Sequence, residues 1–109
     1  MITIRISNEF LHGPIWACEQ DSGIELAEKP SFIVDDPQIR ALNEEIGDLF
    51  NSYYEFDSHD RACWFDEERE RADKGKMLGL LTALRTRLDE LNDGSFEIED
   101  LETERVSAL

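Results

Sequence analysis

The chain is poor in basic residues, and this shortage excludes several classes of partner. Eleven lysines and arginines stand against 26 aspartates and glutamates, so the 109-residue chain has a formal net charge of −15. Such an excess of negative charge repels phosphate backbones and anionic lipid. We therefore expect no direct binding to nucleic acid and no binding to a membrane. The same field attracts a basic protein surface, although an acidic surface also serves solubility alone.

Long apolar runs are absent too, and cysteine is scarce. The longest apolar run, around residues 77–84, is broken by Gly79 and Thr82 and is shorter than the roughly 18 residues of a membrane span. The first ten residues alternate in polarity and do not resemble a secretory signal. Cys18 and Cys63 lie far apart, which favours reduced thiols over a disulfide. These features together predict a soluble, cytoplasmic protein.

Strand patterns dominate the first third of the chain. Ile2, Ile4 and Ile6 alternate with polar residues, which is the period of a half-buried strand. After a turn at residues 12–14, residues 15–19 are predicted to return antiparallel to the first strand. Three further segments are predicted as strands or sheet extensions: residues 24–26, 32–34 and 95–99. In the last of these, an edge or near-edge strand, Glu97 and Glu99 are expected to face solvent.

Two helical patterns follow. Asp36 and Pro37 form a strong helix start, and a helical stripe follows at Ile39, Leu42, Ile46, Leu49, Phe50 and Tyr53. The second pattern comprises Met77, Leu80, Leu81, Leu84, Leu88 and Leu91. Residues 92–94 end it. Residues 66–76 fit either a helical extension or a loop, and the acidic tail at about 100–109 remains unassigned. Residues 1–109 are therefore interpreted as a single α+β domain, in which a small, mostly antiparallel sheet of about four strands packs against two main helices.

The segment between the two helices, residues 53–65, mixes aromatic residues with carboxylates. It reads YYEFDSHDRACWF, a composition typical of recognition surfaces, since tyrosine and tryptophan dominate interface energetics. The alternative is that some of these aromatic side chains close one end of the core. The partner-binding candidates here are Tyr54, Glu55, Asp57, Asp60, Trp64 and Asp66.

A second concentration of acid lies in the last third of the chain. Its members include Asp89, Glu90, Asp93, Glu97, Glu99, Asp100, Glu102 and Glu104. The set is either a solvated face or a plug for a cationic cleft, such as a nuclease site that grips phosphates with lysine and arginine. Glu97, Glu99 and Asp100 form the alternative partner-binding patch.

Catalytic and metal-binding patterns are weak. The possible zinc ligands lack the close pairing of known sites: His12, Cys18, His59 and Cys63. We predict no metal and no cofactor, and interpret these residues as two buried thiols and two surface or turn histidines. A thiol or acid–base set could be assembled from Asp57, His59, Asp60 and Cys63, but a chain this acidic places an aspartate near a histidine by chance. We expect no catalytic residue and no enzymatic activity.

The small size, the sheet beginning at residue 2, the acidity, residues 53–65 and the closing stretch LNDGSFEIEDLETERV at 91–106 together resemble bacterial immunity proteins. These proteins belong to contact-dependent growth inhibition and other polymorphic toxin systems. The resemblance implies a cytosolic protein that binds a cognate toxin domain, often covering its active site, and many such toxins are nucleases. It assigns no individual residue. The alternative hypothesis is an acidic regulatory or scaffold domain that binds a housekeeping protein or self-associates.

Overall fold

A computed structural model describes residues 1–58 and 60–109 of the chain. In the described part the elements are β1 (Ile2–Ile6), β2 (Ile15–Glu19), α1 (Ser31–Val34), α2 (Pro37–Asn51), β3 (Tyr54–Ser58), β4 (Arg61–Phe65), α3 (Glu67–Ala72), α4 (Lys74–Leu91), β5 (Phe96–Asp100) and α5 (Glu102–Ser107). The α+β class is confirmed, and most strand pairs are antiparallel. The strands form one three-stranded sheet and a separate hairpin, so the prediction of one sheet of about four strands is wrong in detail.

The central strand of the three-stranded sheet is β1. It pairs antiparallel with β2, as predicted, and parallel with β5, which lies at the other edge. Glu97 and Glu99 are exposed on β5, also as predicted. Residues 24–26 contribute one isolated β-bridge, between Glu25 and Cys18, and do not form a strand. The helices α2 and α4 pack against one another, and a single core contains residues from the sheet and both helices.

Helix α2 begins where the sequence predicts it. Asp36 caps the helix, because its Oδ1 accepts hydrogen bonds from the N–H groups of Gln38 and Ile39, both at 3.0 Å. The Arg87 guanidinium on α4 donates to Asp36 Oδ2 at 2.6 Å, and these hydrogen bonds hold the pKa of Asp36 below its usual range. The same carboxylate thus caps one helix and ties it to another.

Residues 32–34 form a helical turn in α1, so the strand predicted there is wrong. The N–H groups of Ile33 and Val34 both donate to the carbonyl of Pro30. This turn buries Ile33 in the core and stacks Phe32 on Phe96 with ring centroids 4.9 Å apart. The tertiary packing of these two side chains overrides the strand preference of the segment.

The charged stretch at 66–76 is helical, which resolves the two alternatives. It contains α3 and the first turn of α4, with a break at Asp73. The unassigned tail contains α5, which buries Glu102 and Val106. No helix among residues 1–58 and 60–109 is long and apolar enough to cross a membrane.

Candidate protein-binding surface

The segment between α2 and α3 forms a β-hairpin. Tyr54 lies opposite Phe65, Glu55 opposite Trp64 and Phe56 opposite Cys63. Successive side chains of a strand point to opposite faces. Tyr54 and Phe56 therefore share one face of the hairpin, and Glu55 lies on the other. Asp60 lies in a turn before β4, and His59 lies outside the described residues.

Aromatic side chains attach the inner face of the hairpin to the core. The ring of Tyr54 lies 5.0 Å from that of Phe65 and 5.7 Å from that of Phe50, centroid to centroid. The neighbouring Tyr53 is fully buried, and burial raises its pKa, with a further contribution from the hydrogen bond to Asp73. Tyr53 and Phe65 thus close one end of the core, which was the alternative interpretation of these aromatic residues. Phe56, which is 56% exposed, extends beyond the core.

The β1–β2 loop meets this face of the hairpin. The ring of Phe10 lies 4.5 Å from Tyr54 and 5.6 Å from Phe56, centroid to centroid. The loop also lies close against α2, because a Cβ on Gly47 would come within 3.4 Å of the Cα of Gly13. Residues far apart in sequence therefore form one aromatic surface.

Leu11, next to Phe10, has two unfavourable features. Its φ is +66°, a left-handed conformation that costs a residue other than glycine roughly 1–2 kcal/mol. Its side chain is also 77% exposed. The backbone is held in place by Asn51, whose Oδ1 accepts a hydrogen bond from the Leu11 N–H at 3.1 Å. No sequence pattern marks Leu11, since a single leucine after a phenylalanine has no periodicity.

We define the hairpin-end patch as Phe10, Leu11, Tyr54 and Phe56. Exposed carboxylates accompany it on the same loop and hairpin: Glu9, Glu55, Asp57 and Asp60. The pKa of Tyr54 is raised, chiefly by burial, with smaller contributions from charges that include those of Glu70 and Glu9. The patch therefore has an apolar centre with an acidic surround.

Two of the surrounding carboxylates lie on unusual backbone. Asp57 and Asp60 each have φ of +56°. Aspartate tolerates this region better than most residues, so their cost is smaller than that of Leu11. Both side chains are exposed and were predicted as partner-binding residues.

The remaining predicted residues of the first set have other positions. Trp64 is half-buried on the hairpin face opposite Tyr54 and Phe56. Asp66 caps α3, because its Oδ1 accepts a hydrogen bond from the Arg69 N–H at 3.0 Å. The structure thus brings Tyr54, Glu55, Asp57 and Asp60 onto one hairpin, with Glu55 and Trp64 on its outer face and Asp66 at its base.

Most carboxylates of the alternative patch on β5 accept hydrogen bonds from other residues of the protein. Glu99 accepts a hydrogen bond from the Arg5 side chain at 2.7 Å. Asp100 accepts from the N–H groups of Glu102 and Thr103 at the start of α5, and from the Thr103 hydroxyl at 2.6 Å. Among the predicted residues of this patch, only Glu97 has no such contact within the described chain. Two of the three carboxylates therefore stabilise the local fold.

Beneath the hairpin-end patch lies a largely buried charged network. Glu102, 2% exposed, accepts hydrogen bonds from Arg105 and from the Asn8 backbone and side chain. Arg105 also donates to the buried Glu70 at 2.8 Å, and the hydrogen bonds to these two carboxylates raise the pKa of Arg105. Its guanidinium lies 6.0 Å from the ring centroid of Phe50. The network connects α3, α5 and the β1–β2 loop under the aromatic surface.

The cysteines and His12 do not form a common site. Cys18 is buried and Cys63 is exposed, both as free thiols, so the interpretation of two buried thiols is wrong for Cys63, which lies on the hairpin. His12 is a turn residue that contacts Glu25 at 2.7 Å and stacks on Trp16. Within residues 1–58 and 60–109, no group of three or more His, Cys, Asp or Glu side chains could hold a metal ion.

The hairpin-end patch has the chemistry of a protein interface: an apolar and aromatic centre surrounded by charge. No family model matches the chain, and comparisons with curated proteins and with solved structures also find no match. The functional interpretation therefore depends on the geometry and charge of the patch.

Proposed function

We propose that this protein is a cytoplasmic immunity protein, which binds a cognate toxin domain and neutralises it. The toxin domain in this proposal is a basic nuclease. The inhibitor contacts it through the hairpin-end patch and the neighbouring carboxylates Glu55, Asp57 and Asp60. The protein has no catalytic role in the proposal.

The observation that carries the proposal is the exposure of Leu11 and Phe56, together with the left-handed backbone of Leu11. Leu11 is 77% exposed at a φ of +66° and Phe56 is 56% exposed, so neither adds much to the core. A fold gains no stability from an exposed leucine in a strained conformation. Strained residues tend to lie at binding sites, where the strain is part of recognition. We infer that a partner covers both side chains.

The charge of the surface supports a basic partner. The net charge of −15 attracts cationic surfaces over a Debye length of about 8 Å at physiological salt and accelerates association with them. A nuclease binds phosphates with lysine and arginine. Carboxylates placed on those side chains occupy the substrate site, and the apolar centre of the patch then adds contact area that salt does not screen.

The proposal predicts that a reading frame for a basic nuclease domain lies beside the gene for this protein, and its test is inhibition of that domain. The wild-type protein is expected to block cleavage of nucleic acid by the purified toxin domain at equimolar concentration. Changing Glu55, Asp57 and Asp60 together to lysine is expected to slow association, measured by stopped flow, and to weaken inhibition.

A matched control separates the patch from overall charge. Changing the exposed Glu28, Glu44 and Glu45 together to lysine alters the net charge equally and should retain most of the inhibition. If both triple variants inhibit like the wild type, the proposal is wrong. If the wild type instead elutes as a concentration-dependent dimer that the hairpin variant abolishes, the self-associating scaffold replaces it.

A further inference from the structure

A small cleft lies beside the first half of α2, away from the hairpin-end patch. Its volume is about 190 Å³. Its floor is formed by the buried side chains of Ile15, Ile33 and Ile39. Since roughly 10–15 Å³ of such volume holds one water, the cleft has room for several waters. It therefore fits a ligand of a few heavy atoms with an aliphatic part.

The charged residues that line this cleft, Lys29 and Arg40, are both cations. Neither forms an ion pair with any residue that the structure describes. For Arg40 this is notable, since Asp36 and Glu44 lie one helical turn away on either side, a spacing that commonly gives ion pairs. Asp36 is bonded to Arg87 instead. In a chain with more than twice as many acids as bases, a cleft lined by two unpaired cations has the opposite charge to most of the surface.

Asn43 supplies a third polar group to the cleft. Its Oδ1 is buried, lacks a hydrogen-bond partner and lies 3.2 Å from the position that a Cβ on Gly13 would take. This packing fixes the amide against the backbone of the β1–β2 loop. The Nδ2 of the same amide donates to no described residue. Asn43 lines the cleft, so its Nδ2, 3.3 Å from the position of a Cβ on Gly13, is an unused donor at the wall of the cleft.

We propose that this cleft binds a small branched aliphatic carboxylate. Lys29, Arg40 and Asn43 donate to the carboxylate, and the isoleucine floor contacts the hydrocarbon. Hydrogen bonds from charged donors to a carboxylate are stronger than neutral ones, which offsets the repulsion from the net charge of the chain. The aliphatic part displaces water from the floor.

This site is distinct from the hairpin-end patch and does not depend on the proposed function. Arg40 and Asn51, which holds Leu11, are 11 residues apart on α2. At a rise of 1.5 Å per residue this is about 16 Å. Variants of Arg40 and Lys29 therefore leave the hairpin-end patch in place, whereas Asn43, which packs against Gly13 of the β1–β2 loop, is left unchanged in the tests.

The probe is isovalerate, titrated into the full-length protein with isoleucine methyl signals followed by NMR. The matched control ligand is isovaleramide, which has the same hydrocarbon and no charge. We expect isovalerate to shift the methyl signals of Ile15, Ile33 and Ile39 in a saturable manner, and isovaleramide to bind at least tenfold more weakly. Arg40→Gln and Lys29→Gln should each weaken isovalerate binding about tenfold.

The control variant is Arg61→Gln, which removes another cation without an ion pair among the described residues but lies on the hairpin. It should leave the isovalerate affinity unchanged. Equal binding of isovalerate and isovaleramide, undiminished binding by Arg40→Gln and Lys29→Gln, or shifts that map to other isoleucines would each overturn the proposal. The methyl spectrum without ligand reports whether each variant is folded.

Discussion

Replacing Leu11 by glycine is expected to stabilise the protein while weakening partner binding. The left-handed backbone of Leu11 costs roughly 1–2 kcal/mol, a cost that glycine avoids. Glycine loses about 0.5–1 kcal/mol through the entropy of the unfolded chain. Because the leucine side chain is 77% exposed, its removal costs little burial. The middle values of these two ranges give a net gain of about 0.75 kcal/mol, which corresponds to a rise in Tm of roughly 3–6 °C for a domain of this size.

The assay is urea unfolding followed by circular dichroism, with Ile24→Gly as the matched control. Ile24 is similarly exposed, at 68%, but is not among the residues with positive φ. Glycine there should lower stability by about 0.5–1 kcal/mol. If Leu11→Gly destabilises the protein as much as Ile24→Gly does, Leu11 is not strained and the reasoning fails.

The same variant should bind the toxin domain roughly 10- to 100-fold more weakly. That range follows from about 1.5–3 kcal/mol for the burial of one leucine side chain at an interface. Opposite effects on stability and on binding identify a residue retained for recognition. A Leu11→Gly protein that binds like the wild type would place Leu11 outside the interface.

Three further predictions concern the core network, the α2 cap and the outer face of the hairpin. Arg105→Ala leaves two buried carboxylates without their cation and should lower the free energy of unfolding by about 3 kcal/mol in urea titration; a loss below 1 kcal/mol would contradict this role. The pKa of Asp36 is lowered, so its contribution to stability is present above the ordinary aspartate pKa of 3.8 and is lost as the pH falls through the folded-state pKa. Asp36→Asn should therefore show a smaller acid-induced loss of Tm than the wild type between pH 5 and 2. An equal loss would refute the assignment. Phe56→Ser should change Tm by less than about 3 °C, because Phe56 is 56% exposed, yet weaken toxin binding more than tenfold; a large fall in Tm would show that Phe56 belongs to the core.

The sequence predicts elements whose signals are local. The alternation of Ile2, Ile4 and Ile6 needs only a period of two, and the start of α2 depends on adjacent Asp36 and Pro37. Residues 32–34 prefer extended backbone, so the sequence predicts a strand there, and only their contacts across the core reverse that preference. The tail has no local pattern that assigns it a structure, since its contacts are distant in sequence: the partners of Arg105 include Glu70, 35 residues away.

The hairpin and its patch were only partly predictable. The composition of residues 53–65 predicts a recognition surface, and the structure places four of its candidates on one hairpin: Tyr54, Glu55, Asp57 and Asp60. Their contact with a partner stays a prediction. The sequence between the two strands lacks the Asn-Gly or Asp-Gly pair that most clearly marks a hairpin, so it predicts no strands there. The contribution of the β1–β2 loop depends on packing between residues more than 40 positions apart, which a single sequence does not reveal.

The most direct test of the account is capture of partners from the native host with three tagged baits: the wild type, Leu11→Gly and Phe56→Ser. The account predicts that the wild type retains a basic toxin domain, identified by mass spectrometry, with retention that falls as the salt of the wash rises. The two variants should fold, as judged by circular dichroism, and should lose that domain. If all three baits retain the same protein equally, or the wild type retains only itself or a housekeeping complex, the account is contradicted.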